Sequence, residues 1–348
     1  MARRKKVKGS MHRYLIAFAI VTGISVLLIG YNFYHRVYAP NIIYENDKNY
    51  LYIPTGTDYE QLLAILTAKK TVKNIEAFEW VASKMNLQEN VHPGKYRLQP
   101  QMNNYELVKM IRGGLQEPVK LVLNKFRLKE ELAGFVGRKL EADSVALLQW
   151  LNDDAALSAM ALTQETAMSL IIPNTYECRW NTSATQFMQR MKKEYDRFWN
   201  ASRLEKAAGL GLSPTGVIIL ASIVEEETNY QAEKGTISVV YMNRIRKGML
   251  LQADPTIRFA MKDFTITRVL HTHLAFLSPY NTYLHEGLPP GPICTPSIKT
   301  IDAVLNATPH DYLYFCANPD KPGTHLFAAT YQQHLLNAKR YQQWLSRQ

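Results

Sequence analysis

Residues 213–230 read SPTGVIILASIVEEETNY, and the rest of the chain is organised around this stretch. Ser213 can accept hydrogen bonds from free N–H groups and Pro214 already has a helical φ, so a helix is predicted to begin here. Residues 217–224 are almost entirely apolar on every side. The pattern therefore predicts a buried helix rather than an amphipathic surface helix.

Three adjacent carboxylates, Glu225, Glu226 and Glu227, follow the buried helix directly. Helical spacing places Glu227 on the same face as Leu220 and Ile223. The negative end of the helix dipole, mutual repulsion and loss of solvation all favour the protonated acid. A carboxylic acid that stays neutral near pH 7 can serve as a general acid. The alternative is a helix end whose glutamates point into water.

The composition is that of a globular protein with room for about two domains. Of the 348 residues, 47% are apolar and 20% are charged. The net charge is +11, but six positive charges lie in the first thirteen residues and leave only +5 for the remainder. With no concentrated basic stripe and no RNA-binding signature, we predict no nucleic-acid partner.

The cysteines and histidines predict no metal site. Cys178, Cys294 and Cys316 are widely spaced and odd in number, which fits neither a disulfide framework nor a zinc ligand set. His271 and His273 are interpreted as loop or surface histidines because no third ligand is in register. We expect neither a metal nor another cofactor.

The N-terminus predicts a membrane anchor. Residues 1–13 form a basic tail, and residues 14–35 are close to the ~20 apolar residues that a transmembrane helix needs. Positive charge before the span predicts a cytoplasmic N-terminus and an extracytoplasmic (periplasmic) remainder, anchored by a single pass in the inner membrane. A cleavable signal peptide is the alternative, but the apolar stretch is long and bulky aromatic residues follow it.

Residues 40–115 predict a small α+β module. Strands are predicted at residues 50–53 and 95–98, with two helices between them and a third helix that ends at Gly113 and Gly114. This order resembles a LysM-like carbohydrate-binding module. A rigid spacer above the membrane is the alternative.

Residues 118–348 predict a second, mixed α+β domain. Helices are predicted at residues 128–140, 144–151, 186–204, 233–247 and 330–345, and strands at residues 118–124, 311–315 and 323–327. Residues 170–172 are interpreted as a strand that enters a tight turn at Pro173.

Three polar turns and loops follow the glutamates, at residues 251–256, 278–283 and 287–293. Asp254 precedes Pro255 and is predicted to lie outside helical geometry. Stiff loops that mix aromatic and polar side chains suit sugar recognition. Purely structural turns are the alternative.

Together these segments resemble the MltG/YceG-like family of endolytic peptidoglycan (murein) transglycosylases. The resemblance rests on residues 221–228, 243–244, 251–256, 278–283, 287–293 and 312–315 with His325, in the family's order and spacing. In that family the catalytic acid is the second glutamate of a Glu-x-Glu pair, which falls on Glu227, with Glu225 as its partner. This sequence departs from the pattern at Glu226, where lysine is common, and at Asn174, where aspartate is usual.

The resemblance implies a lytic reaction in which the sugar's own 6-hydroxyl attacks the anomeric carbon and leaves 1,6-anhydro-MurNAc ends. It also implies a role in terminating glycan elongation, with peptidoglycan synthases as candidate partners. The residues expected to hold the glycan are Gln252, Asp254, Asn281, Tyr283 and His325. The alternatives are a hydrolytic muramidase, for which Asp254 is the candidate second carboxylate, and a non-catalytic glycan-binding scaffold.

Overall fold

The computed structural model describes residues 5–45 and 49–347, with side chains from residue 11 onward. Residues 1–4 of the predicted basic tail lie outside the described part. The chain divides into two compact units. The first extends to Val119 and includes residues 179–181, and the second contains residues 120–178 and 182–348.

The first unit begins with one long helix, α1 (Lys5–Val37). Its segment Met11–Val37 is long and apolar enough to cross a membrane, and its most apolar 18-residue window has no buried residue. Val37, at its end, is buried in the core of the first unit. The predicted span at residues 14–35 lies within this segment.

The remainder of the first unit is a small α+β body with its own core. Its elements are β1 (Tyr50–Ile53), α2 (Tyr59–Ala68), α3 (Ile75–Lys84), β2 (Gly94–Arg97) and α4 (Asn104–Arg112). β1 and β2 pair antiparallel with Leu51 opposite Tyr96, and both side chains are buried with Phe78 of α3. The strand–helix–helix–strand order is the one predicted. A carbohydrate-binding role for this body stays a prediction.

The second unit is mostly helical with two short two-stranded sheets. Its elements are β3 (Val119–Val122), α5 (Lys129–Gly137), α6 (Ser144–Trp150), α7 (Asp154–Ser158), a 3₁₀ turn (Ala167–Leu170), β4 (Thr175–Cys178), α8 (Ala184–Phe198), α9 (Ala201–Gly209), α10 (Pro214–Glu227), α11 (Lys234–Arg246), α12 (Asp254–Ala260), α13 (His271–Leu274), α14 (Ile298–Leu305), β5 (Tyr314–Ala317), β6 (His325–Ala328) and α15 (Tyr331–Leu345). β3 pairs with β4, and β5 pairs antiparallel with β6.

Helix α10 is the centre of this unit, as its sequence predicts. Ser213 caps it by accepting a hydrogen bond from the Gly216 N–H at 3.0 Å, and Pro214 occupies its first turn. Every residue from Val217 to Val224 is buried. Helices α9, α11, α12 and α14 contact it, so burial of its apolar surface supplies much of the unit's stabilisation.

Four sequence predictions about individual elements are wrong. The helix predicted at residues 186–204 breaks into α8 and α9, because Asn200 leaves the helix to cap the Arg203 N–H. Residues 170–172 end a 3₁₀ turn rather than forming a strand, and β4 starts after Pro173, which has no N–H to donate to a sheet.

The other two concern a helix start and a strand boundary. Asp254 opens α12 instead of lying in a non-helical turn, because Pro255 is tolerated in a first turn whose N–H groups have no helical partner. The strand predicted at residues 311–315 begins only at Tyr314, because its partner β6 ends at Ala328, the residue opposite Tyr314.

Candidate active site

The three glutamates that end α10 enter three different environments. Successive residues on a helix point about 100° apart, so adjacent side chains face different neighbours. Each carboxylate therefore has its own set of contacts.

Glu225 lies between α10, α11 and α14. Its Oε2 accepts hydrogen bonds from Lys234 Nζ at 2.9 Å, from Ser297 Oγ at 3.1 Å and from the Thr300 hydroxyl. Lys234 is itself only 5% exposed. Burial raises the pKa of Glu225, but the Thr300 and Lys234 hydrogen bonds and the lysine charge outweigh it, so the pKa lies below its ordinary value. Glu225 is an ionised structural tie between three helices.

Glu226 faces the segment that follows β3. It accepts hydrogen bonds from Arg127 Nη2 and Lys125 Nζ, each at 2.8 Å. Burial alone raises the pKa of Glu226, yet the two cations and their hydrogen bonds bring it below its ordinary value. The effects that favour the protonated acid at this helix end are therefore outweighed at Glu225 and Glu226 by basic neighbours that the local sequence does not reveal.

Glu227 is the exception. Its Oε1 accepts a hydrogen bond from the Tyr241 hydroxyl at 2.5 Å. Burial is the largest effect on the pKa of Glu227 and raises it, and the charge of Asp254 also raises it. The Tyr241 hydrogen bond and the charges of Arg258 and Arg244 lower it, and the resulting pKa is about 7. The residue as a whole is half-buried. A carboxyl with this pKa can give up and take back a proton near neutral pH.

Asp254 and Tyr283 lie beside Glu227 and are joined to each other. The Tyr283 hydroxyl donates to Asp254 Oδ1 at 2.6 Å. Burial, and then this hydrogen bond, raise the pKa of the Tyr283 hydroxyl, so it remains a donor. The negative charge of Glu227 is among the other causes of that shift, which places the three side chains in one electrostatic cluster.

Asn281 holds the loop that carries Tyr283. It has no exposed surface, and its amide donates to the backbone oxygens of Leu274 and Phe276 at 2.9 and 2.8 Å. Its Oδ1 accepts from the Tyr283 N–H at 2.9 Å. All of its polar atoms are used within the protein, so this arrangement supports Tyr283 rather than presenting Asn281 to a sugar.

Gln252 and His325 lie at two other edges of the site. Gln252 is exposed and has a left-handed backbone (φ 52°), with its N–H donating to the Thr282 oxygen at 3.0 Å. His325 Nδ1 pairs with Glu233 at 2.9 Å. The ring of Phe315 lies against both His325 and Tyr241, with centroids 5.3 and 5.9 Å away. No hydrogen bond within residues 5–45 and 49–347 joins the side chain of Gln252 or His325 to Glu227, so a role for these two residues in holding glycan stays a prediction.

Three site residues had no functional role assigned from the sequence. Tyr241 lies in the helix predicted at residues 233–247, and a tyrosine on a buried helix face needs a hydroxyl partner, which is a usable signal. Arg244 is 8% exposed and donates to the Leu313 and Leu251 oxygens at 2.7 and 2.6 Å, which fixes α11 against the flanking loops. Arg258 lies one turn after Asp254 on α12, and no pattern in the sequence indicated that it belongs to the site.

The loop at residues 287–293 packs directly on α10. Ser222 Oγ accepts from the Ile293 N–H at 3.0 Å. A Cβ on Gly291 would lie 2.0 Å from the Glu165 oxygen, so only glycine fits there. At these positions the structural interpretation of the loop is the right one. Within the described residues, no group of three or more His, Cys, Asp or Glu side chains is placed to hold a metal ion.

Comparison with known proteins places this arrangement in a family. The YceG-like family model matches residues 51–340. The chain belongs to the YceG-like family. A crystal structure of a YceG-like protein from Listeria monocytogenes has a TM-score of 0.54 and 28% identity, covering 82% of this chain and 98% of that one.

Two curated relatives carry the same name. This YceG-like chain is 25% identical over 308 residues to the "Endolytic murein transglycosylase" of Bacillus subtilis (strain 168), covering 83% of each protein. It is 26% identical over 306 residues to the "Endolytic murein transglycosylase" of Streptococcus pneumoniae serotype 2 (strain D39 / NCTC 7466), covering 78% of this chain and 55% of that protein. The chain thus spans about half the length of the pneumococcal relative.

Proposed function

We propose that this protein is a membrane-anchored endolytic peptidoglycan transglycosylase with Glu227 as its catalytic acid. The single observation that carries the proposal is a carboxyl of pKa about 7, hydrogen-bonded to Tyr241 at 2.5 Å, at the C-terminal end of the buried helix α10. The names of the bacillar and pneumococcal relatives support the substrate class. The bond cleaved is the glycosidic bond between MurNAc and GlcNAc.

The reaction needs one carboxyl in two successive roles. Protonated Glu227 gives its proton to the glycosidic oxygen, and the bond from that oxygen to the muramyl anomeric carbon breaks. The 6-hydroxyl oxygen of the same muramyl residue then bonds to the anomeric carbon, and its proton passes to the Glu227 carboxylate. The acid is regenerated, and no water is consumed. Because the nucleophile is tethered to the reacting sugar, the step gains the entropic advantage of an intramolecular reaction.

The neighbours of Glu227 support this cycle. The Tyr241 hydroxyl fixes the rotamer of the carboxyl and stabilises its ionised form between the two proton transfers. Burial raises the pKa most, and Asp254 adds to it because its charge opposes ionisation. Glu225 contacts Lys234 and Thr300 instead, which favours a positioning role for it.

A hydrolytic muramidase is the second candidate, because Asp254 places a further carboxylate beside Glu227. In that reaction Asp254 would activate a water molecule. The Tyr283 hydroxyl occupies one of its oxygens, which favours the lytic assignment.

We also infer the setting of the reaction. Helix α1 serves as a single-pass anchor, with the N-terminus in the cytoplasm and the second unit outside the cytoplasmic membrane. Cleavage at this location would terminate elongation of nascent strands, alongside the peptidoglycan synthases that make them.

Fragment analysis of digested peptidoglycan tests the proposal. The full-length protein and its Glu227→Gln variant are incubated with glycan strands, and the new ends are identified by mass spectrometry. We expect 1,6-anhydro-MurNAc ends with the wild type and none with the variant. Reducing ends would instead support the muramidase, and unchanged strands with both proteins would favour a glycan-binding scaffold.

A further inference from the structure

Arg258 lines a cleft at the end of α10 together with Glu226, and its charge acts on the proposed acid. It differs from the other cations around the glutamates. Its Nε atom is buried, and within residues 5–45 and 49–347 that atom has no hydrogen bond. The other cations are occupied: Lys234 binds Glu225, Arg127 binds Glu226, and Arg244 donates to backbone oxygens. Within the described part of the chain, Arg258 therefore keeps an N–H donor without a partner, whereas the N–H donors of the other cations have partners.

A buried donor without an acceptor is costly, because it has lost water and gained nothing in return. A substrate atom that accepts a hydrogen bond from this N–H would explain why the protein itself provides no acceptor next to the proposed acid. The guanidinium presents several N–H groups in a planar fork, which suits carboxylate or carbonyl oxygens.

A narrow cleft of about 20 Å³ lies next to Arg258, with room for about one water-sized group. Its walls include Arg258, Phe259, Arg127 and Glu226. Phe259 also borders a larger cavity of about 290 Å³, whose other walls include Lys129, Lys262, Glu165 and Tyr280. Cations, a carboxylate and aromatic rings in one cavity suit a peptide that carries both charges.

We propose that Arg258 binds a carbonyl or carboxylate oxygen of the lactyl-peptide arm of the muramyl residue, and that the neighbouring cavity receives this arm. The inference rests on the proposed function. The arm is attached to the same sugar ring whose anomeric carbon is attacked, so a residue beside the acid is in a suitable place to hold it. Arg258 then determines that the acid meets a muramyl residue and not a glucosaminyl residue.

A binding measurement in a non-cleaving background tests the anchor. Full-length Glu227→Gln protein in detergent is titrated with fluorescently labelled glycan strands, with and without Arg258→Gln. We expect Kd to rise about tenfold, because a charge-assisted hydrogen bond to a desolvated group is lost. Arg268→Gln removes an exposed arginine nearby and should leave Kd unchanged.

Three ligands identify the group that Arg258 binds. If the lactyl oxygen is the acceptor, Arg258→Gln should weaken the binding of two ligands: strands with stem peptides, and strands stripped to the free lactyl carboxylate. Weakening confined to the peptide-bearing strands also supports the proposal and places the contact on the peptide. Chitin oligosaccharides have no lactyl arm and should be unaffected. An equal loss with chitin, or no loss with any ligand, would overturn the proposal.

Turnover by the otherwise wild-type enzyme separates this inference from the proposed function. If Arg258 is an anchor, Arg258→Gln raises KM; if it only tunes Glu227, kcat and the pH profile change while KM does not, and the inference fails. A wild type that forms no anhydro ends would refute the function itself. Should Arg258→Gln lower the unfolding temperature, Arg258→Lys is measured instead, and a Kd equal to that of Arg268→Gln would contradict the anchor.

Discussion

At the residue scale, neighbouring carboxyls of one helix turn have opposite protonation behaviour. Glu225 and Glu226 have lowered pKa values because cations and hydroxyls reach them, whereas the pKa of Glu227 rises to about 7 because burial dominates. Identity and spacing do not separate these residues. What separates them is which helix or loop lies against each side chain.

Glu227→Gln should change stability in a pH-dependent way. The folded-state pKa of Glu227 is raised, so between about pH 4.5 and about pH 7 the native state holds a proton that the unfolded chain has released, and wild-type stability falls as pH rises. The variant lacks this penalty. Denaturant unfolding should show that the free energy of unfolding of the variant increases relative to that of the wild type as pH rises through this range, by at most about 3 kcal/mol.

Glu225→Gln is the matched control, and its expected sign is opposite. The folded-state pKa of Glu225 is lowered, so its contribution to stability is present above the unfolded-state pKa and disappears as pH falls through the folded-state value. The variant should be less stable than the wild type at neutral pH and approach it in acid. The same pH trend for both variants would contradict the assigned environments.

Tyr241→Phe should shift the alkaline limb of the pH–rate profile upward. Its hydrogen bond lowers the pKa of Glu227, so without it the acid stays protonated to higher pH. The rate at the optimum should fall about tenfold because the ionised carboxyl loses its donor. Profiles of kcat/KM measure both effects, with Tyr331→Phe, an exposed tyrosine of α15, as control. A downward shift would refute this role for Tyr241.

At the element scale, Glu226 connects the end of α10 to the segment after β3. A lysine at this position would face Lys125 and Arg127. We expect Glu226→Lys to destabilise the protein by about 1–3 kcal/mol, since both cations lose their partner and meet a like charge.

Thermal unfolding measures that loss, and Glu205→Lys, the same charge change at an exposed site on α9, should have little effect. Adding Lys125→Glu to Glu226→Lys should restore part of the stability. If Glu226→Lys is as stable as the control, the ion pairs do not stabilise this contact.

Gly291→Ala tests the packing of the loop on the unit's interior. The new Cβ would lie 2.0 Å from the Glu165 oxygen and 2.9 Å from the Tyr280 hydroxyl, so backbone must move. We expect a destabilisation of about 1–3 kcal/mol by overpacking. Gly209→Ala at the end of α9 meets no atom within 4 Å and should be neutral or stabilising. Equal unfolding midpoints for the two variants would disprove the close approach.

Elements whose signals are local were predictable from the sequence. The Ser213-Pro214 start and the apolar run gave α10 correctly, and the helices α11 and α15 lie within one or two residues of their predicted bounds. The 3₁₀ turn before Pro173 was missed because turn type depends on packing against segments far along the chain. The helical conformation of Asp254 was missed because a residue before proline usually avoids helical geometry, whereas Pro255 lies in a first turn that tolerates it.

The site was predictable only in part for the same reason. A helix that ends in glutamates identifies the candidate acid, but the partners Tyr241, Arg244 and Arg258 come from other helices. Asn281 was expected to face sugar and is buried, since loop residues with amides serve turns and ligands equally well by sequence.

At the scale of the whole molecule, α1 and the second unit together account for the proposed setting. One apolar helix is long enough to cross a membrane, and the second unit carries a carboxyl that can exchange a proton near neutral pH. The central claim is that this carboxyl cleaves glycan without using water.

The most direct test is digestion of peptidoglycan by the full-length protein in water labelled with heavy oxygen, followed by mass spectrometry of the new ends. The account predicts anhydro ends that contain no label, because the 6-hydroxyl supplies the new bond. Reducing ends that carry the label would contradict it and assign a hydrolase in which Asp254 activates water.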